Sequence, residues 1–222
     1  MRTGFGMRQW IGMLTAVAAF PTLAQEHFNF STTTKYAGRA IALQITQGQV
    51  GANPTPVEVA NSGSAPVTGG EVRNFLDDAT PIPGVTAHQL DTVTLGANGE
   101  NRSQASMTHL DARIGLHHIT ALWVESEATA AAEIGNVPAR GKSILDGLTV
   151  DGQPTAVTGA VNQTITFPDG YLVINEQSGS SSPHFGSLTV NALHLFVMGA
   201  GNLVAASSKA EVIYAPMPNS PL

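Results

Sequence analysis

The sequence predicts an all-β domain, an antiparallel β-sandwich of jelly-roll-like type spanning residues 25–215. Three observations predict it. Short runs rich in Val, Ile, Thr and Phe recur along the chain, many alternating apolar with polar residues. Tight-turn chemistry separates them, at Asp146-Gly147, Asp151-Gly152, Asp169-Gly170 and Gly199-Ala-Gly-Asn202. Outside the Ala-rich stretch 128–134, no run of ten or more residues carries a helical face.

Residues 1–24 read as an export signal rather than as structure. Arg2 and Arg8 form a basic start, Trp10 to Phe20 an apolar core, and Pro21-Thr-Leu-Ala24 a small-residue cleavage site before Gln25. The apolar run is too short to span a bilayer. Its removal takes away two arginines and no carboxylate, leaving the mature chain more acidic than the net −6 of the whole. With no basic run to neutralise phosphates, the acidic, weakly charged chain argues against nucleic acid and anionic membrane surfaces as partners. The chain has no Cys, so neither disulfides, thiolate metal sites nor a Cys nucleophile is available.

After the signal, Glu26 to Thr34 has strand composition and is expected to pair with its own sheet. Pairing with a neighbour's sheet instead would give self-assembly. In Tyr36 to Thr46, Ile41, Leu43 and Ile45 share one face of a half-buried strand. Residues 48–70, dense in Gly, Pro, Asn and Ser, read as a long surface connection. Glu71 to Leu76 suits a strand or a short helix equally. Thr86 to Leu95 alternates and leads into a polar loop at 96–101. Residues 103–116 and 119–132 read as a strand pair, the second with Leu122, Val124, Ser126 and Ala128 on one face and Ala121, Trp123, Glu125 and Glu127 on the other. Strand is the expectation for its Ala-rich end too, where helix propensity competes. The Gly/Ser-rich Ser178 to Ser182 reads as a flexible hairpin loop. Ile41, Leu43, Ile45, Val190, Phe196 and Val212 are expected in or near the core. The tail 216–222 is Pro-rich and ends without an apolar anchor helix, a sorting motif or a lipidation Cys, so release or non-covalent retention is expected.

The last third carries a resemblance. Leu148-Thr-Val-Asp-Gly-Gln153, Asn175-Glu-Gln177, Val190-Asn-Ala-Leu-His194 and Ser207-Ser-Lys-Ala210 resemble phrases of the secreted bacterial choice-of-anchor P proteins. The likeness is strong after residue 142 and weak at Tyr36-Ala-Gly-Arg-Ala40. That family is named for exchangeable surface anchors, so the resemblance implies an address at the cell surface and no particular activity.

Candidate chemistry is sparse. Gly141-Lys142-Ser143 lacks the phosphate-loop glycine at position 136, which is Asn, and reads as a turn. No Gly-x-Ser-x-Gly elbow is present. His109 and Asp111 lie on one strand face and His117 belongs to the same hairpin, giving a conceivable metal triad without a recognised spacing; His117 and His118 point to opposite faces. His194 reads as a buried, hydrogen-bonded histidine. Glu125 and Glu127 share a strand face about 6.6 Å apart, near the separation a glycosidase pair needs, with Trp123 as the one sugar platform. Asp77-Asp78 reads as a turn without calcium-loop spacing. Asn175 to Gln177 and Asn191 read as structural polar residues. The expectation is therefore a secreted, extracellular or periplasmic, non-enzymatic module with no catalytic, metal or cofactor residues, binding a protein or matrix component. Its rival is a secreted carbohydrate-active or metal-dependent hydrolase built on Glu125, Glu127, His109 or Asp111.

Overall fold

Two antiparallel sheets packed face to face account for the strands anticipated from the alternation, and no helix interrupts them. The computed structural model describes residues 34–48 and 55–215. The expected signal at 1–24, the strand-like segment before Thr34 and the tail at 216–222 lie outside the described residues. No helix among those described is long and apolar enough to cross a membrane.

Sheet A contains β1 (Thr34–Tyr36), β2 (Arg39–Gln47), β3 (Val57–Ser64), β11 (Gln163–Phe167), β12 (Gly170–Ser182), β13 (Phe185–Val197) and β14 (Gly201–Tyr214). Its order is β11-β12-β13-β14-β2-β3, with β1 alongside β14. Sheet B contains β4 (Gly70–Ile82), β5 (Val85–Ala97), β6 (Glu100–Ile114), β7 (His117–Ala131), β8 (Ala139–Asp146), β9 (Thr149–Val150) and β10 (Gln153–Pro154). It runs β10-β9-β7-β6-β5-β4, with β8 also on β7. Each sheet is mainly a succession of hairpins, and the first and last long strands, β2 and β14, pair to close sheet A. Thr34 pairs with Tyr214, so the end of the N-terminal segment joins its own sheet.

Several expectations need correction. Residues 57–64 are a strand within the stretch read as a long connection, because Val57, Glu58, Val59 and Asn61 pair with β2. Asp77-Asp78 and Gly141-Lys142-Ser143 lie inside β4 and β8 rather than in turns. Ser178 to Ser182 continues β12 against β13 as far as Ser182↔Phe185. There Gly179 is needed for close approach, since a methyl would sit 2.3 Å from the Ser187 carbonyl oxygen.

A transverse crease crosses sheet A. Asn175, Ala206 and Ala60 adopt φ of +53°, +51° and +48°, and they face Ala192 and Ala42 along one line across the strands. Ladder pairs resume on both sides of this line without loss of register there, as at Glu176↔Asn191 and Ile174↔Leu193. At the crease two successive residues turn inward on each long strand: Ile174 and Asn175, Ala192 and Leu193, Ala205 and Ala206, Ala42 and Leu43. Strand alternation therefore changes phase at the same level in each long strand that crosses the line. Val190 is buried above the line, and Leu193, Leu195 and Val197 below it, so Phe196 lies on the outer face, 37% exposed, against the expectation that placed it in the core. Ile41, Leu43, Ile45, Val190 and Val212 are buried as expected.

The apolar interior forms two clusters, a larger one around Leu43, Met107, Leu110, Leu172 and Leu195 and a smaller one around Tyr36, Val137, Val190 and Val212. A chain of buried hydroxyls joins the sheets. Ser126 Oγ and Ser208 Oγ lie 2.7 Å apart, Ser208 donates to the Ser126 carbonyl at 3.1 Å, and Ser103 Oγ donates to the Lys209 carbonyl at 2.6 Å. Thr94 links Ser103 to Ser62, whose oxygen accepts from the Ala40 N–H. Each hydroxyl is satisfied, which burial requires. Small residues allow this close approach; a methyl on Gly38 would fall 2.1 Å from Asn101 Oδ1.

Candidate functional site

Sheet B has its own crease, opposite in sense. Gln89 and His109 take φ of +47° and +48°, and successive residues turn outward: His88 and Gln89 on β5, Thr108 and His109 on β6, Leu122 and Trp123 on β7. The expected faces of β7 are thus corrected: Ala121 is buried and Leu122 exposed, while Val124, Ser126 and Ala128 are inward as expected. The turned-out residues of β5 and β6, with Asp77 and Asp78 of β4, line a shallow depression of about 420 Å³ on the outer face. His88 Nδ1 is hydrogen-bonded to Asp78 Oδ1, and its ring meets His109 edge to face at 6.1 Å. Thr108 Oγ1 donates to the His88 carbonyl at 3.2 Å. Trp123 pairs across the strands with Thr108. Phe75 and Ile144 lie one row away at the two flanks, with Asp91, Ser106 and Glu125 between them.

The metal triad weighed for His109, Asp111 and His117 does not assemble. His109 belongs to this depression, while Asp111 Oδ1 is bonded to His118 Nε2 at 2.9 Å and His117 faces other carboxylates. Among the described residues no three His, Asp or Glu side chains are arranged to hold a metal ion. His88 and Gln89 were not singled out by sequence. Their signal was the spacing Val85, Ala87, Leu90, which breaks strict alternation where the fold makes its crease.

Glu125 and Glu127 stand on the outer face of sheet B, each engaged by its cross-strand neighbours. Glu127 Oε2 accepts from Arg102 at 2.8 Å and lies 3.5 Å from Lys142 Nζ. Glu125 accepts from Gln104 Nε2 at 3.0 Å and from Trp123 Nε1 at 3.2 Å. A general acid needs an apolar setting that holds its proton; here one acid sits between two cations and the other receives two N–H groups. His194 is hydrogen-bonded as expected but half-buried on the outer face of sheet A rather than in the interior: it bonds Glu176 Oε2 at 2.9 Å, and Asn191 donates to the same oxygen at 2.6 Å. Asn175 donates to the Gly159 carbonyl at 3.2 Å and accepts from Gln177 at 2.9 Å, so Asn175, Gln177 and Asn191 all serve local structure. Tyr171 and Phe196 form a stacked cross-strand pair, centroids 5.3 Å apart, with ring faces turned toward each other.

A second cluster lies at the end of the sandwich where β7 begins. His117 Nδ1 is 2.9 Å from Asp151 Oδ2, in the β9–β10 turn, and Nε2 is 2.9 Å from Asp169 Oδ1, in the β11–β12 turn. Its ring stacks on Phe167 at 4.0 Å. Asp151 Oδ1 also accepts the His118 N–H at 2.8 Å. The bond to Asp169, with help from Asp151, holds the His117 pKa above the usual imidazole value against partial burial. Partial burial pushes the Asp151 carboxyl upward, but the His118 N–H and His117 outweigh it and leave the group below the ordinary range. Asp169 is likewise lowered, chiefly by His117. Sequence reading treated both aspartates as turn residues; their partner lies 34 and 52 positions away in the chain.

No known family model, curated protein or solved structure matches the chain.

Proposed function

We propose that the chain is a secreted, non-enzymatic β-sandwich acting at the cell surface or in the extracellular matrix through contact with a protein or matrix component. The observation that carries this reading is the outer face of sheet B. There Leu122, 55% exposed, Trp123 and Ile144 present apolar surface on the adjacent strands β7 and β8, and Phe75, 52% exposed, stands three strands away on β4. The depression lined by Asp77, Asp78, His88, Gln89, Thr108 and His109 lies beside them. Apolar side chains grouped on an open sheet face and rimmed by polar groups are the usual composition of a contact surface. The export-type segment and the resemblance to choice-of-anchor P proteins supply the address. Each acid considered for catalysis is occupied by a neighbour on an open face, which favours a contact module over a hydrolase.

The test is retention. Purified protein is added to washed producing cells and to their extracellular matrix, and the bound fraction is compared for wild type and a Phe75→Ser, Trp123→Ser double variant of unchanged circular dichroism. The proposal expects binding by wild type and its loss in the variant. Equal binding by both, or recovery of the native protein from cytoplasm with Met1 intact, refutes it.

A further inference from the structure

We propose that His117 is a proton-operated latch between the two sheets: it is closed while the imidazole is cationic, and it opens on the Asp169 side when the ring loses a proton. The donor inventory requires this. Both ring nitrogens lie 2.9 Å from a carboxylate oxygen, and a carboxylate only accepts. Two such bonds need two N–H groups, which only imidazolium has; the neutral ring keeps one N–H and directs a lone pair at the other carboxylate.

The two carboxylates belong to different sheets. Asp151 lies in the turn of the β9–β10 hairpin of sheet B, and Asp169 in the turn joining β11, an edge strand of sheet A, to β12. The His117 side chain is 11% exposed and rests on Phe167, the last residue of β11, so the ring joins sheet B to the β11–β12 turn through charge and stacking together.

The partners differ in how else they are held. Asp151 keeps the His118 N–H, and its own N–H donates to the His118 carbonyl at 2.8 Å, so it stays in place whatever the ring does. The Asp169 side chain is held by His117 and by the backbone N–H of its own residue, with no tie to sheet B except the ring, and it is 40% exposed, so it relieves repulsion by turning to water. The neutral ring therefore retains Nδ1–H toward Asp151 and releases Asp169. Other titratable or charged groups near the ring are His118, paired with Asp111, and Arg113, cross-strand from His118 on β6. The β13–β14 turn at Met198, Gly199 and Ala200, whose Met198 N–H donates to the Asp169 carbonyl, adds no charge.

The direction of the pH effect follows. The His117 pKa is raised in the folded protein, so the latch is fully made below the ordinary imidazole pKa and is lost as pH rises through the raised value. The proposal is independent of any binding partner.

The experiment is a pH titration of the whole protein by NMR, with hydrogen exchange corrected for intrinsic rate. The expected result is a His117 ring that goes from imidazolium to the Nδ1–H tautomer, accompanied by loss of amide protection at Phe167 to Leu172 while Ile119 and Val150 stay protected. Asp169→Asn, an exposed turn substitution, should abolish the pH dependence of that protection, and His117→Gln should give low protection at every pH. The idea is overturned if the neutral ring carries its proton on Nε2, if both turns open together, or if Asp169→Asn keeps the wild-type pH profile.

Discussion

Leu195 and Phe196 are adjacent in β13, and truncating each to alanine measures the crease directly. Leu195 is fully buried in the larger cluster. Deleting such a side chain costs about 2–5 kcal/mol, and a site fixed by strands on both flanks collapses little, so about 3 kcal/mol is expected. Phe196 is on the outer face, and its main loss is the stacked contact with Tyr171 at 5.3 Å. Such a pair, with the partial burial around it, is worth on the order of 1 kcal/mol. For a domain of this size each kcal/mol moves Tm by about 2–4 °C. Leu195→Ala should then lower Tm by about 6–12 °C and Phe196→Ala by about 2–4 °C. Urea unfolding with unchanged m-values checks that both act on stability. Val190→Ala should also be costly, on the order of 2 kcal/mol, although uninterrupted alternation puts Val190 and Leu195 on opposite faces. If Phe196→Ala proves as damaging as Leu195→Ala, the phase change is wrong.

Four further outcomes are expected. Gly38→Ala should destabilise by about 1–3 kcal/mol in chemical unfolding, because the new methyl meets Asn101 Oδ1; pairing it with Asn101→Ala should recover part of the loss. Ser126→Ala should lower stability by about 1 kcal/mol in the same assay, since it removes one hydroxyl of the inter-sheet chain and leaves Ser208 short of a partner. Gln89→Gly should raise it by about 0.5–1 kcal/mol, because glycine tolerates the left-handed φ at this exposed position. Asp151 and Asp169 titrate below the ordinary carboxylate range, so the stability they add is present above that range and lost as pH falls through their lowered values; the acid limb of a urea-midpoint profile should shrink in Asp169→Asn.

The strands and their antiparallel pairing were legible because alternation and Asp-Gly turns are local signals. Leu43 and Ile45 could be assigned to one buried face from spacing alone. Ile41, across the crease from them, is buried but lies on the other face and outside the core cluster, against the expectation that all three share a face. Phe196 could not be placed, because its face depends on a left-handed Ala206 and Asn175 in neighbouring strands, and alanine carries no sequence mark for φ > 0. The strand at Val57 was hidden by flanking Gly, Pro and Asn, which describe a connection well when its partner, β2, is unknown. At the candidate sites Glu125, Glu127 and the histidines were all visible as chemistry. Their roles were not, because Arg102, Asp151 and Asp169 reach them only through the folded topology. Asp77-Asp78 looked like a turn for the same reason: β5 alone makes it an edge of the sheet.

The creases also bear on how these sheets meet other chains. A strand that docks on a sheet edge reads the edge as a template, and its own inward and outward residues must stay in step along the whole contact. The edges β3 and β4 each carry the discontinuity, at Ala60 and beside Asp77, so an incoming strand with ordinary alternation matches only one side of the fault before its apolar residues fall on the wrong face. Long edges that would otherwise invite indiscriminate stacking are thereby divided into two short ones of opposite phase. A partner able to use the full length must carry the same dislocation, and a second copy of this chain is one molecule that does.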